Sequence, residues 1–162
     1  MEQNIQKKFN KAQNEIRLAI MDFIITEKRP FNLETDGFGA LKDIRFSSQE
    51  DFAAITAELR AKDGMVVDEE NNVNFIYPVS ALPTNHQVHL ADGRSFTAMC
   101  AIDAIGATFT FHQDTEIHSV CSVCGAPIHI VMKDGIPAAY SPKDLHALTF
   151  TLGEISNWAG SC

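Results

Sequence analysis

This sequence predicts an α+β protein. An N-terminal, three-helix, winged-helix-like domain over residues 1–79 is followed by a mostly antiparallel or mixed β-sheet domain over residues 80–162, which includes a short helix carrying Cys100. Three observations predict it. Apolar residues recur at helical spacing through the first 62 residues, period-2 runs punctuated by turn residues dominate after Pro78–Pro83, and the charge balance shifts between the two parts. Residues 1–62 hold 10 Lys/Arg and 10 Asp/Glu, whereas residues 63–162 hold 3 and 11, which gives the net charge of -8.

In the first domain, Ile5, Phe9, Ala12, Ile16, Ala19/Ile20 and Phe23 line one side of a helix over 4–26. Lys7, Lys8, Lys11, Glu15 and Asp22 fill the other side. Lys28-Arg29-Pro30 ends it, since proline disfavours helix at the preceding residue and a basic pair suits a helix C-terminus. A weaker pattern places a short second helix near Gly39–Ile44. Ser48, with Asp51 three residues on and Phe52, Ile55 and Leu59 at helical spacing, sets a third over about 49–62. Met65–Val67 and Val73–Tyr77, joined by the polar Asp68–Asn72, read as a hairpin. Three helices and a hairpin suggest a DNA-binding winged helix, but Gln49, Glu50, Asp51 and Glu58 on the third helix would repel phosphates. The expected role is therefore structural or docking, without nucleic acid as a partner.

The second domain opens with strands His86–Leu90 and Ser95–Met99 around Asp92-Gly93, a strong hairpin signal. Further β runs are expected at Thr108–His112, Ile117–Cys121, Ile128–Met132, Ala138–Tyr140 and Leu145–Leu152. Lys133-Asp134-Gly135 and Ser141-Pro142 punctuate them. Between the opening hairpin and these runs, Phe96–Gly106 passes from strand alternation to an apolar helical turn. There Cys100 and Asp103, at i and i+3, share a face. A thiol beside a carboxyl pairs a soft nucleophile with a proton carrier, and Asp is a poor helix-interior residue that is rarely buried unpaired.

Other chemistries fare less well. The sequence has no phosphate-cradling G-x-x-x-x-G-K, no G-x-G-x-x-G and no G-x-S-x-G. His86, His89, His112 and His146 sit singly in strand-like runs, and Trp158 reads as a core aromatic. Cys121-Ser122-Val123-Cys124 is a C-x-x-C pair, but no second such pair supplies zinc ligands. Its lead into a strand rather than a helix is unlike a thioredoxin site, so an incidental turn outweighs metal or redox use. His118 and His129 are close in sequence, with side-chain directions left open. No leader pattern and no apolar run of about 20 residues appears, so a cytoplasmic protein with no membrane partner is expected. Its four cysteines are then expected to be thiols.

In the segment Met99-Cys100-Ala101-Ile102-Asp103-Ala104 the sequence resembles the organomercurial (alkylmercury) lyase family, which has a C-A-[LI]-D core there. Cys121 followed by Gly125-Ala126-Pro127 is similar to the family's central cysteine and G-A-P, and Ser161-Cys162 to the start of its late cysteine motif. The order and spacing agree over residues 88–162. Cys124 has no counterpart in that pattern.

The resemblance implies an enzyme that cleaves carbon–mercury, or more broadly carbon–metal, bonds by protonolysis. Cys100, Asp103 and Cys162 would be catalytic: Cys100 and Cys162 bind mercury as substrate and product, Asp103 handles the proton, and Cys121 is a structural thiol. No organic cofactor is implied. The expected partners are an organomercurial or other organometallic small molecule, small thiols for product release, and mercuric reductase as acceptor of Hg(II). The family pattern continues past its late cysteine, so a truncated C-terminus is expected, or an in-frame UGA encoding selenocysteine after Cys162. The rival readings are a non-catalytic mercury- or copper-binding thiol protein on the same scaffold and a winged-helix regulator.

Overall fold

The computed structural model describes residues 8–45 and 49–147, which fall into two compact units, 8–76 and 77–147. The architecture is α+β, with three α-helices among the described residues.

In the first unit, helix α1 (Lys11–Glu27) begins later than the apolar spacing predicts. Asn10 and Gln13 form a reciprocal capping box: the Gln13 N–H donates to the Asn10 side chain at 2.9 Å, and the Asn10 N–H to Gln13 Oε1 at 3.0 Å. This satisfies two orphan donors and leaves Phe9 ahead of the helix. There the Phe9 ring receives the Arg17 guanidinium at 4.4 Å. Ile16, Ile20, Met21, Ile24 and Ile25 are buried. Lys28 closes the helix in the left-handed region (φ 55), its N–H donating to the Ile24 carbonyl.

The short second helix is one 3-10 turn, Phe38–Ala40, which ends where Leu41 takes extended backbone (φ -83, ψ 138) and its N–H donates to the Phe38 carbonyl. Helix α2 (Gln49–Ala61) forms as expected, while its predicted cap, Ser48, lies outside the described residues. α2 packs on α1, where buried Gln13 accepts from Lys62 Nζ at 3.1 Å. Strands β1 (Phe31–Asn32) and β2 (Val66–Val67) both pair antiparallel with β3 (Asn72–Ile76). The Asp68 carboxylate accepts the N–H groups of Glu70 and Asn72, which builds the turn between β2 and β3.

The second unit is an antiparallel sheet. Its strands are β4 (Val79–Ser80), β5 (Gln87–Leu90), β6 (Ser95–Ala98), β7 (Thr115–Val120), β8 (Pro127–Lys133) and β9 (Ile136–Ser141), in spatial order β4-β6-β5-β7-β8-β9. Between β8 and β9, Asp134 and Gly135 both take positive φ (50 and 78), the hairpin geometry that asparagine, aspartate and glycine tolerate.

Helix α3 (Ala101–Phe111) crosses one face of this sheet, packing on β5, β6 and β7. It overturns the strand expected at Thr108–His112. Thr108, Thr110 and the neighbouring phenylalanines favour β locally, but burial of Ala104, Ala107 and Thr108 against the sheet decides the matter. Phe111 closes on Phe96 of β6 at 5.5 Å, and the Thr108 hydroxyl donates to the Gln113 carbonyl at 2.5 Å, tying off the helix end. Of the strand expected at Leu145–Leu152, residues 145–147 are not strand and the rest lie outside the described residues.

β7 alternates strictly, burying Thr115, Ile117 and Ser119 on the face that α3 covers and exposing Glu116, His118 and Val120. Ile117 is only 1% exposed at the centre of that layer. Ile117→Ala is expected to cost about 2–5 kcal/mol of unfolding free energy, measured by urea denaturation, since little can collapse into the vacated space.

Candidate active site

The sequence Ser95-Phe96-Thr97-Ala98 alternates, so Phe96 and Ala98 bury one face of β6 and carry the chain to the mouth of α3. Two residues of the lead into β5 hold the end of β6. The Ala98 N–H donates to the His86 carbonyl at 2.7 Å, and the Thr84 hydroxyl donates to the Ala98 carbonyl at 2.6 Å. The Met99 N–H then donates to the Pro78 carbonyl at 3.3 Å. The point at which the chain leaves the sheet for Cys100 is therefore fixed by backbone bonds on two sides.

Cys100 is the N-cap of α3, with extended backbone (φ -145, ψ 178), and its carbonyl accepts the first helical bond, from the Ala104 N–H at 3.0 Å. The sequence places Cys100 and Asp103 on one helical face; here the cysteine stands just outside the helix and Asp103 at its third residue, the spacing of a capping box. The Cys100 thiol donates to Asp103 Oδ2 at 3.3 Å, and the Cys100 backbone N–H also donates to that carboxyl. Serine at the cap would favour the helix more. Cysteine there puts sulfur at the positive end of the helix dipole, where negative charge is favoured.

Asp103 is half-buried in the first turn of α3. Its pKa is pushed up to about 6 by desolvation, which outweighs the two hydrogen bonds from Cys100 that favour the charged form. A carboxyl in that range, bonded to a thiol, can take a proton and return it near neutral pH.

Cys121 follows β7 on the strand parity of buried Ser119 and is half-buried. Cys121–Gly125 is a tight turn: the Gly125 N–H donates to the Cys121 carbonyl at 3.0 Å, and the Cys121 N–H to the Ala126 carbonyl at 2.9 Å. The amides of Cys124 and Val123, with the Cys124 thiol, hold the Cys121 thiol below the usual thiol range. The C-x-x-C pair is thus a built turn with adjacent sulfurs, of which Cys124 is exposed. Cys162 and Trp158 lie outside the described residues.

Two features went unread in the sequence. His86 Nδ1, in the lead into β5, meets the Ser119 hydroxyl of β7, and burial lowers the pKa of this imidazole, which favours its neutral form. On the opposite sheet face, Glu116, His118 and His129 converge. The local signal for the second was Glu116 and His118 at i and i+2 of one strand; the partner position of His129 is set by pairing across the hairpin.

Among the described residues, no helix is long and apolar enough to cross a membrane. No curated protein matches the chain significantly. The crystal structure of the mercury-bound form of MerB2 matches with a TM-score of 0.58 and 23% identity, over 84% of this chain and 63% of that one. The fold is therefore shared, and this chain spans less than two thirds of that protein's length. The alkylmercury lyase family model, MerB, matches residues 79–162, more than half of the sequence and the whole stretch that holds Cys100, Asp103 and Cys121, so the chain belongs to the alkylmercury lyase family.

Proposed function

We propose that this protein cleaves the carbon–mercury bond of organomercurials by protonolysis, with Cys100 and Asp103 at the reacting centre. The observation that carries the reading is the 3.3 Å bond from the Cys100 thiol to a carboxyl whose pKa is near 6. Sulfur is the preferred donor for a soft metal, and a carboxyl in that range is suited to moving one proton twice.

Cys100 sulfur bonds to mercury and displaces the small thiolate that carried the organomercurial, while the Cys100 thiol proton passes to the Asp103 carboxylate. A second thiolate, assigned to Cys162 by the family pattern, adds to mercury and raises electron density on the attached carbon. The Asp103 proton then moves to that carbon as the carbon–mercury bond breaks, and its electron pair becomes the new C–H bond. Hydrocarbon leaves, and Hg(II) remains on two thiolates until small thiols, or mercuric reductase, withdraw it. No oxidant, reductant or organic cofactor enters. Cys121 serves as a structural thiol in its turn, and residues 8–76 serve as a winged-helix-like docking unit in which the exposed acidic residues of α2, Asp51 and Glu58, disfavour nucleic acid.

Incubation with phenylmercury and excess small thiol should release stoichiometric benzene, measured in the headspace by gas chromatography. Tight mercury retention with no benzene would defeat the catalytic reading in favour of thiol-based metal binding.

A further inference from the structure

We infer that Glu116, His118 and His129 form a surface site for a borderline divalent transition-metal ion of the Zn(II), Co(II) or Ni(II) class, separate from the Cys100–Asp103 pair. Antiparallel pairing of β7 with β8 sets His118 directly opposite His129, and Glu116 lies two residues earlier on the same exposed face. The Nε2 atoms of both histidines address one oxygen, Glu116 Oε1, at 3.1 and 2.8 Å. The two rings are stacked at 4.7 Å and 21°, and one donor atom from each residue falls within 4.8 Å of the others.

Those separations suit a metal. Bonds of about 2.0–2.1 Å in a tetrahedron give donor–donor edges of about 3.3 Å, so the N···O pairs at 3.1 and 2.8 Å open by only a few tenths of an ångström to admit an ion in place of their hydrogen bonds. Two imidazoles and a carboxylate select borderline cations, whereas mercury goes to thiolates. The remaining position is open to water or to His89, which shares this face and whose ring meets that of His118 at 5.6 Å. The backbone positions of the three residues are fixed because six consecutive residue pairs hold the β7–β8 register. It also lies apart from the proposed chemistry, since α3 and Cys100 pack on the face that buries Thr115, Ile117 and Ser119.

Co(II) titration of the full chain tests it, followed by calorimetry and by absorption, because thiolate ligation adds intense near-ultraviolet charge-transfer bands and imidazole–carboxylate ligation does not. The expected result is one Co(II) per chain with weak visible bands and no thiolate band. It persists in Cys100→Ser/Cys121→Ser/Cys124→Ser, is lost in His118→Ala/His129→Ala, and is weakened about tenfold or more in Glu116→Gln. In the unsubstituted protein, paramagnetic broadening of the His118 and His129 ring resonances ahead of those of His112 and His146 gives a readout independent of any variant's folding. No saturable binding at millimolar Co(II), a thiolate-band complex that survives loss of both histidines, or uniform broadening of all histidines would overturn the site. Benzene release plays no part in these outcomes, so failure here and failure of the lyase reading are distinguishable.

Discussion

Cys100→Ser is expected to lower benzene release from phenylmercury by about 10³-fold or more, because the hydroxyl that replaces the thiol is a hard, weakly acidic donor that does not hold mercury. The substitution is close to isosteric, and serine is a better helix N-cap than cysteine, so the variant should fold with stability equal to or slightly above that of the parent. Unchanged urea midpoints together with lost turnover would therefore locate the defect in the chemistry. Retention of more than a tenth of the activity would remove Cys100 from the reacting centre. Cys124→Ser supplies the contrast: its sulfur is exposed in the β7–β8 turn and lies outside the proposed proton path, so turnover should stay within a factor of about two, as for surface changes generally.

What could be read from the residues alone follows the range of the forces involved. Asp92-Gly93 marks a hairpin because turn chemistry is local, and the pairing of Val88 with Phe96 follows from it. Cys100 and Asp103 could be placed together for the same reason, since three residues at a strand–helix junction leave few geometries. Thr108–Phe111 misled because β-branched and aromatic residues favour strand locally, while the helix is held by burial against a sheet whose other strands are distant in sequence. The meeting of His118 with His129 was equally hidden: both sit in alternating runs, and only the register fixed by the Cys121–Ala126 turn sets them opposite each other. The raised pKa of Asp103 belongs to the same class, for desolvation depends on what the sheet and helix bring around the carboxyl. Chemical identity was legible in the motif; electrostatic tuning required the packed structure.

That tuning gives Asp103→Asn two opposed effects. Turnover should fall by about 10²–10⁴-fold, because the amide can accept the Cys100 N–H but cannot carry a proton from sulfur to carbon. Stability should move the other way. The folded-state pKa of about 6 lies above the ordinary value of 3.8, so between those values the native state holds more protons than the unfolded state. Below about pH 4 both states are protonated and the carboxyl costs nothing. As pH rises through about 6 the native state comes to carry a desolvated charge, at a cost of roughly 1–3 kcal/mol for a half-buried group. Asparagine relieves that cost while keeping an acceptor for the helix cap. Urea unfolding at pH 8 should therefore show the variant more stable by about that amount, and the difference should vanish near pH 4. In the unsubstituted protein the rate should fall as pH drops through about 6, since the carboxylate form receives the thiol proton. Destabilisation of Asp103→Asn that is larger at pH 8 than near pH 4 would mean that the native state favours the charged carboxylate, and the proposed proton carrier would lose its physical basis.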